Sequence, residues 1–307
     1  MKAEARQKRV RVPVHGVLLL DKPAGLSSND ALVKAKRLLN AEKAGHTGTL
    51  DPFATGLLPL CFGEATKFAQ DLLDADKTYE TTVHLGIATS TGDTEGEVIA
   101  TSPVESIREQ IDAVLAGFRG PIDQVPPMHS ALKRDGRPLY EYARAGITLE
   151  REARRVTIHE LTLLSWEAPF LRLSVRCSKG TYIRVLGEDI GAALGCGAHL
   201  NALRRTAVGN LSVAQAMTLE QLANLPEPER AAVLAPVDAL LSSFPVLALD
   251  DEFARRFQHG QRLALAGTDN LPQAGRVRVY RQADNCLLGT AQLADYGVLA
   301  PERLVKT

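Results

Sequence analysis

The 307-residue sequence lacks paired cysteines, a long apolar run and a net charge. Its four cysteines, Cys61, Cys177, Cys196 and Cys286, stand far apart without a Cys-x-x-Cys pair, which argues against a disulfide framework and against structural zinc. No apolar run reaches the roughly 18–20 residues of a membrane span. The N-terminus also lacks the apolar core of a secretory signal. We therefore expect a cytoplasmic protein with no membrane association.

The charge balance gives no global sign of a polyanionic partner, because 36 basic side chains are offset by 36 acidic ones. Binding depends on local patches and not on the sum, so nucleic acid is still a possible ligand. The first fourteen residues hold five basic side chains and one acid. Further basic candidates are Lys133, Arg134, Arg137, Arg151, Arg154, Arg155, Arg204 and Arg205. The alternative is that these clusters are simply solvated surface.

The stretch from Gly45 to Leu58 reads Gly-His-Thr-Gly-Thr-Leu-Asp-Pro-Phe-Ala-Thr-Gly-Leu-Leu and places one carboxylate, Asp51, in a turn of glycines, threonines and a proline. Glycine permits backbone angles that other residues avoid, and Pro52 fixes a torsion directly after the acid. Such a loop can hold an acid rigidly beside a ligand. The alternative is an ordinary Asp-Pro turn without a functional role.

Four more segments accompany this stretch in a fixed order: Gly16–Gly25, Lys77–Glu80, Cys177–Arg184 and Leu203–Thr206. Together the five motifs resemble those of the bacterial tRNA pseudouridine synthases of the TruB type. The resemblance extends from about residue 14 to the C-terminus. Any one motif is weak, but five in sequence are specific.

The resemblance implies catalytic or substrate-binding roles for seven residues and a supporting role for Pro23. Asp51 is the catalytic acid, Arg184 is its charged partner, and Tyr79 stacks on the target uracil with its hydroxyl available for proton transfer. Substrate-binding roles fall to His46, Tyr79, Tyr182, Leu203 and Lys22, with Lys22 and Pro23 also supporting the catalytic loop from beneath. A guanidinium can pair with a carboxylate at two points, which would keep Asp51 ionised as the site loses water.

Apolar patterning predicts an α+β fold with a mixed, mainly antiparallel sheet and flanking helices. The predicted strands are 16–20, 79–85, 97–100, 156–164, 171–177 and 200–207, and the predicted helices are 27–40, 64–73, 106–118 and 181–194. Strand candidates at 261–265, 276–280 and 287–293 indicate a small C-terminal β unit.

The predicted domain division places a catalytic domain at residues 1–245 and a small β-barrel domain at 246–307. A proline-broken basic segment, about 121–155, interrupts the first domain, and a loop of this length is usually functional or mobile. The resemblance implies that this segment closes over RNA and that the C-terminal unit is an RNA-binding module of the PUA type. The alternative for the segment is a disordered linker.

The predicted activity is isomerisation of uridine 55 in the T loop of tRNA to pseudouridine. The base must be flipped out of its stack, detached from ribose C1′ at N1 and rejoined at C5. This chemistry involves no redox change, so we expect no cofactor and no metal. We expect a monomer whose partner is the T arm of tRNA and which needs no protein partner. The rivals are the catalytic subunit of an RNA-guided synthase, a non-catalytic tRNA-folding chaperone, and a pure RNA-binding module.

Overall fold

The computed structural model describes residues 10–105, 108–265 and 271–306. The strands are β1 (Gly16–Lys22), β2 (Ala44–His46), β3 (Thr55–Phe62), β4 (Lys77–Leu85), β5 (Ile87–Thr89), β6 (Val98–Thr101), β7 (Gly120–Gln124), β8 (Lys133–Arg134), β9 (Arg137–Pro138), β10 (Arg154–Glu167), β11 (Phe170–Cys177), β12 (Ala198–Val208), β13 (Leu211–Ser212), β14 (Val246–Leu249), β15 (Leu263–Ala264), β16 (Gly275–Arg281), β17 (Cys286–Leu293) and β18 (Val298–Leu304). The helices are α1 (Ser28–Leu38), α2 (Ala69–Leu73), α3 (Arg108–Gly117), α4 (Leu139–Arg144), α5 (Ile183–Ala193), α6 (Leu219–Asn224) and α7 (Asp251–Gln258). The basic residues before position 10 and the predicted helix start at 106–107 lie outside the described residues.

The larger sheet has the strand order β1-β3-β12-β4-β11-β10-β7, with β2 beside β3 and β13 beside β12. Its described pairs are antiparallel except β3 with β12, which run parallel where Thr55 and Gly56 face Arg204 and Arg205. The predicted mixed, mainly antiparallel sheet is therefore confirmed. The order places β12 directly beside β4, so motifs more than 100 residues apart become neighbours.

Strand β3 was not predicted from the sequence, although it lies between β1 and β12. It is buried from Gly56 to Phe62, with Leu57 in one apolar cluster and Leu58 in another. A strand buried on both faces reads as a continuous apolar run and shows no alternation. A Cβ atom at Gly56 (φ +100°) would lie 2.3 Å from the backbone oxygen of Arg205, so this close approach of β3 to β12 requires glycine.

Helices lie at the four predicted places, although not with the predicted boundaries, and α4, α6 and α7 were not predicted. Helix α1 begins after Ser27, whose Oγ accepts a hydrogen bond from the backbone N–H of Asp30 (3.1 Å), as a serine cap should. The chain leaves the helix before Asn40, which has a φ of +50°. The predicted helix at 64–73 is instead a 3₁₀ segment, Gly63–Phe68, followed by the short α2.

The main apolar core joins the flanking helices to one face of the sheet. Ala35 of α1, Ile111 of α3 and Ile190 of α5 belong to the same cluster as Val83 of β4 and Leu173 of β11. Burying an aliphatic side chain of this size contributes about 1.5–3 kcal/mol, so the cluster fixes the helices on the sheet. None of the helices in the described part of the chain has the length and apolar character of a membrane span.

Residues 125–153 leave and rejoin the sheet between two paired strands, because Gln124 at the end of β7 faces Arg154 at the start of β10. The segment contains the β8–β9 hairpin and α4, and Leu139 is buried within it. The backbone N–H of Tyr140 donates to the carbonyl of Ser130 (3.1 Å). The segment thus has its own secondary structure, whereas the alternative interpretation was a disordered linker.

The C-terminal sheet has the order β14-β16-β17-β18-β15 and curls into a half-barrel, which confirms the predicted small β unit. Leu249, Phe257, Val279, Leu288 and Leu299 form its own apolar cluster. Helix α7 and the strands β14 and β18 were not predicted. The strand predicted at 261–265 is only two residues long in the structure.

Polar contacts join this sheet to the rest of the chain. Arg276 of β16 pairs with Asp71 of α2 and with Glu302 of β18. Lys67 Nζ donates to the carbonyl of Leu304 (2.8 Å). Because Asp71 lies in the helix whose last residue, Leu73, lines the cleft described next, the C-terminal sheet braces one edge of that cleft.

Candidate active site

A cleft of about 370 Å³ opens between the loop that carries Asp51, strands β4 and β12, the start of α5, and residues 130–132. Five of the seven residues selected from the sequence line it, namely Asp51, Tyr79, Tyr182, Arg184 and Leu203. The sheet order explains the convergence, because Tyr79 on β4 and Leu203 on β12 belong to neighbouring strands. The other two, His46 and Lys22, lie outside the lining.

Asp51 projects from a loop, residues 47–54, that connects β2 to β3. The neighbouring Leu50 is fixed by Ser28, whose Oγ accepts from its N–H (2.8 Å) and donates to its carbonyl (3.0 Å). The N–H of Ala54 donates to the backbone carbonyl of Asp51 (3.1 Å). About a third of the Asp51 side chain (33%) is exposed, and it lines the cleft. The loop therefore holds the carboxylate in place and leaves it open to a ligand.

Arg184 lies in the first turn of α5 and is almost fully buried. Its Nε donates to Oδ2 of Asp51 (2.9 Å), its Nη1 to the carbonyl of Thr91 (2.8 Å) and its Nη2 to the carbonyl of His129 (2.6 Å). The predicted pairing with Asp51 is present, but it is not the two-point pairing that was expected, because backbone carbonyls occupy both terminal nitrogens. The guanidinium thus ties the carboxylate to the β5–β6 connection and to the segment 125–153.

Asp93 is a second carboxylate at this arginine, and it was not identified from the sequence. It is 3% exposed, and its Oδ2 lies 3.5 Å from Arg184 Nε. Its Oδ1 accepts from Thr91 Oγ1 (2.5 Å) and from the N–H of Glu95 (3.0 Å). The sequence around it, Gly92–Gly96, predicted only a turn. Nothing in that pattern shows that the turn folds against the loop of Asp51, 42 residues earlier.

The carboxylates of Asp51, Asp93 and Glu95 lie near one another, and their charges affect the pKa values of Asp51 and Glu95. Burial raises the pKa of Asp51 above its ordinary value; Arg184 opposes this, Asp93 adds to it, and Lys22 opposes it. Burial also raises the pKa of Glu95, and both Asp93 and Asp51 contribute. The proton affinity of Asp51 therefore depends on a balance between nearby charges.

This balance predicts a pH dependence. If ionised Asp51 is required, kcat/KM should fall as the pH drops through a pKa above the ordinary value of 3.8. Asp93→Asn removes a negative charge that raises this pKa, so the acid limb should move to lower pH. The measurement is the pH profile of kcat/KM for both proteins. If the acid limb of the variant stays in place or moves to higher pH, Asp51 is not the group whose ionisation limits kcat/KM.

Tyr79 lies on β4, where it pairs with Val175 of β11 and Arg205 of β12. Burial raises the pKa of its hydroxyl, although the nearby Arg205 lowers it. The hydroxyl is therefore protonated at neutral pH and can donate a proton or a hydrogen bond in the cleft. Leu203 also lines the cleft and is 7% exposed, so it offers an apolar wall.

Tyr182 occupies the predicted junction between a strand and a helix, directly before α5. The side-chain amide of Gln124 fixes its backbone, because Oε1 accepts from the Tyr182 N–H (3.0 Å) and Nε2 donates to its carbonyl (3.3 Å). Gln124 is itself buried and ends β7. Gln124 was not predicted as a site residue, and a lone glutamine gives no sequence signal for this role.

Lys22 was predicted to bind substrate, and the structure corrects this. The residue is fully buried, and its Nζ donates to the carbonyls of Pro23 (2.9 Å), Leu26 (2.7 Å) and Pro52 (3.3 Å). Burial lowers the pKa of Lys22 to about 8. Through the carbonyl of Pro52 its ammonium group supports the loop that carries Asp51, and Lys22 does not line the cleft.

His46 lies on β2, and its half-buried ring does not line the cleft. Its Nδ1 is buried without a hydrogen-bond partner among the described residues. Burial and then Arg205 lower the pKa of the ring, so His46 is neutral at neutral pH. Its predicted contact with a substrate stays a prediction.

Two of the basic candidates for nucleic-acid binding are in fact engaged within the protein. Arg204 pairs with Asp21 through two hydrogen bonds (3.0 and 2.7 Å). Arg205 is 1% exposed, and its three donor nitrogens bind backbone carbonyls, so it cannot contact a phosphate from this position. In contrast, Lys133, Arg134 and Arg154 are exposed.

Among the described residues, no group of histidine, cysteine and carboxylate side chains is arranged to hold a metal ion. The chemistry available in the cleft is that of a fixed carboxylate, two arginines, a lysine and two phenols beside an apolar wall.

Comparisons with known proteins identify the family. Residues 36–183 match the TruB family pseudouridylate synthase (N terminal domain), and residues 184–242 match the tRNA pseudouridylate synthase B C-terminal domain. Residues 245–305 match the C-terminal region described as pseudouridine synthase II TruB. The chain belongs to the TruB family of pseudouridylate synthases, which are isomerases.

Two relatives cover nearly the whole chain. A tRNA pseudouridine synthase B of Burkholderia lata is 63% identical over 99% of this chain and 95% of its own length. A tRNA pseudouridine synthase B of Ralstonia pickettii is 64% identical over 97% of this chain and 96% of its own length.

Solved structures share the fold. A chain in a crystal structure of a Cbf5-Nop10-Gar1 complex has a TM-score of 0.72 and 28% identity, covering 94% of this chain and 84% of that one. A chain of an H/ACA RNP bound to a substrate RNA containing 2′-deoxyuridine has a TM-score of 0.72 and 25% identity, covering 95% of this chain and 86% of that one.

Proposed function

We propose that this protein isomerises uridine 55 in the T loop of tRNA to pseudouridine, using only its own side chains. The observation that carries the proposal is the ionic contact between Asp51 and Arg184 at the floor of a cleft with Tyr79 on its wall. The relatives named tRNA pseudouridine synthase B support tRNA as the substrate. The protein acts as a monomer without a protein partner.

In the proposed reaction the uridine is flipped out of the RNA into the cleft. Ionised Asp51 either attacks C1′ as the C1′–N1 bond breaks or assists loss of the base, and the detached uracil turns. C5 then bonds to C1′, with the Asp51–C1′ bond breaking if one had formed, the C5 proton leaves, and N1 takes up a proton. Tyr79 stacks on the base, and Tyr182 and Leu203 confine it. Arg184 keeps Asp51 ionised and aimed, since the entering base excludes water and so raises the cost of a bare carboxylate. His46 binds the substrate by helping to fill the space that the displaced bases leave.

The test is to incubate the purified protein with unmodified tRNA transcript alone and then map pseudouridine at single-nucleotide resolution. We expect pseudouridine at position 55 and at no other position. It fails if no pseudouridine forms or if another position is modified. Activity on the bare transcript also excludes the RNA-guided rival, because that rival needs a guide RNA. Pseudouridine formation of any kind excludes the chaperone and binding-module alternatives.

The segment 125–153 is proposed to grip the RNA, since its exposed hairpin carries Lys133, Arg134 and Arg137 above the cleft-lining residues 130–132. Replacing these three with glutamine should raise KM and flatten the dependence of affinity on salt. Each lost phosphate contact reduces the log–log slope by about 0.7–0.9. Arg137 already pairs with Glu141 (3.2 Å), so its share should be the smallest.

Filter binding across a salt series measures this slope. Arg108→Gln on α3, which removes an exposed arginine paired with Asp112, is the control and should leave the slope unchanged. An unchanged slope in the triple variant would show that the hairpin does not contact phosphates.

We further propose that residues 1–245 form the catalytic domain and that 246–307 form a PUA-like RNA-binding domain. Deleting 246–307 should weaken tRNA binding but keep the single-turnover rate at saturating tRNA within about tenfold. The deletion would leave Asp71 without Arg276, and an unpaired buried carboxylate is destabilising, so Asp71→Asn should accompany it.

Full-length Asp71→Asn is the matched control for this deletion, and circular dichroism establishes that the shortened protein is folded. A hundredfold loss of the saturating rate in the folded, shortened protein would mean that the C-terminal sheet is part of the catalytic unit.

A further inference from the structure

Arg205 is the largest fully buried side chain in the described structure; it donates to three backbone carbonyls, and its guanidinium lies beside the hydroxyl of Tyr79. Its Nε donates to the carbonyl of Leu57 (2.8 Å), its Nη1 to that of Thr49 (3.4 Å) and its Nη2 to that of Gly48 (3.2 Å). Gly48 and Thr49 precede Asp51, and Leu57 follows it on β3. One guanidinium therefore spans the catalytic loop and joins its two ends.

No carboxylate among the described residues pairs with Arg205. A buried charge without an ionic partner is costly, so its hydrogen bonds must offset that cost. A planar fork of donors suits this position, because carbonyls of the loop and of β3 converge on it. The packing is also tight, since β3 approaches the Arg205 backbone at Gly56, where no side chain fits. The arrangement therefore fixes the loop relative to β12 with little freedom.

Arg205 also lines the cleft beside Tyr79, its partner in the pairing of β12 with β4. The same side chain thus reaches the loop that presents the carboxylate and the strand that presents the stacking tyrosine. A shift of Arg205 would move these two groups relative to each other. Arg184 does not make this link, since its contacts go to Asp51, Thr91 and His129.

We propose that Arg205 is a positioning residue that sets the distance between Asp51 and Tyr79 by bonding both ends of the catalytic loop to β12. The inference rests on the function proposed above. It adds a residue that acts by holding the backbone of the loop and that touches neither an RNA phosphate nor the Asp51 side chain. A displacement of about 1 Å between reacting groups can cost about 100-fold in rate. Loss of the fork should therefore lower kcat and leave tRNA affinity intact.

The test compares Arg205→Lys with Arg230→Lys in the full chain. Arg230 makes the same pattern of bonds, since its three donor nitrogens bind the carbonyls of Leu225, Leu38 and Ala223 at 2.9–3.0 Å. It lies outside the cleft lining. Thermal unfolding, the dissociation constant for tRNA and the single-turnover rate at saturating tRNA are measured for both variants.

We expect both lysine variants to lose stability but only Arg205→Lys to lose turnover, by about 100-fold, with its dissociation constant within about threefold of wild type. A rate for Arg205→Lys within threefold of Arg230→Lys overturns the inference, as does a loss confined to tRNA affinity. Wild-type protein that forms no pseudouridine would instead overturn the proposed function, so the two failures are distinguishable.

If the Arg205→Lys protein does not fold, the same measurements are made on Arg205→Met. Methionine keeps the apolar stem and buries no charge, and such replacements are often tolerated by the fold. It donates no hydrogen bond to the loop, so the same loss of kcat is expected. A folded Arg205→Met protein with wild-type turnover overturns the inference, because it would show that packing alone is sufficient.

Discussion

Asp51→Asn is expected to abolish turnover, with a loss of at least about 10,000-fold, or about 5.4 kcal/mol in the activation barrier. Asparagine has nearly the same shape but cannot carry the negative charge that attack on C1′ or assistance to base loss requires. The variant should still fold, because Asn can accept the hydrogen bond from Arg184 Nε. It should also bind tRNA, since the side chain is only one contact in the cleft.

Single-turnover rates at saturating tRNA, with the dissociation constant measured separately, check this prediction. Asp112→Asn is the matched control, because it breaks another carboxylate–arginine pair, with Arg108 at 3.0 Å, on the exposed side of α3. The control should keep full turnover. Residual activity of Asp51→Asn within about tenfold of wild type, about 1.4 kcal/mol, would mean that Asp51 is not the catalytic carboxylate.

Arg184→Lys is expected to lose about 100-fold in turnover, about 2.7 kcal/mol, despite keeping its charge. Arg184 binds Asp51 and the carbonyls of Thr91 and His129 with three different nitrogens of its planar fork. The ammonium group of lysine has only one nitrogen, which cannot lie within hydrogen-bond distance of all three of these separated acceptors. If its ammonium group follows the carbonyls, Asp51 loses its partner. If it follows Asp51, the β5–β6 connection and the segment 125–153 are no longer joined at the cleft. Either outcome moves the carboxylate or the walls around it.

Arg119→Lys is the control for this variant, because Arg119 Nε and Nη2 both donate to the carbonyl of Leu161 away from the cleft (3.1 and 3.0 Å). Its turnover should stay near wild type. The measured quantities are again the saturating single-turnover rate and tRNA affinity. Near-normal turnover of Arg184→Lys would show that charge alone is needed and that the three-way contact is unimportant.

Most of the cleft-lining site residues could be predicted from the sequence, because the five motifs match the family in residue identity and in order. Asp51 and Arg184 stand 133 residues apart, and no local pattern joins them. The resemblance selected both, and the strand order then places them within hydrogen-bond distance. Periodicity recovered the strands with one buried and one polar face, such as β4 and β11.

Periodicity does not identify an element or a side chain that is buried on all sides. Strand β3 has no polar face, so its sequence gives no alternation. Lys22 and Arg205 look like surface cations, yet each is buried and bonded to backbone carbonyls. A sequence shows that a side chain is charged but does not show which carbonyls surround it. Asp93 was missed for a related reason, because its partner comes from a distant helix.

The measurement that tests the central claim most directly uses tRNA labelled with tritium at C5 of uracil. Pseudouridine formation replaces the C5–H bond with a C5–C1′ bond, so each turnover releases one tritium to water. We predict release of one C5 tritium per tRNA by the wild-type protein alone. We predict no release from tRNA with cytidine at position 55, and none by the Asp51→Asn protein. Release from the cytidine-substituted tRNA, or by the Asp51→Asn protein, would contradict these predictions.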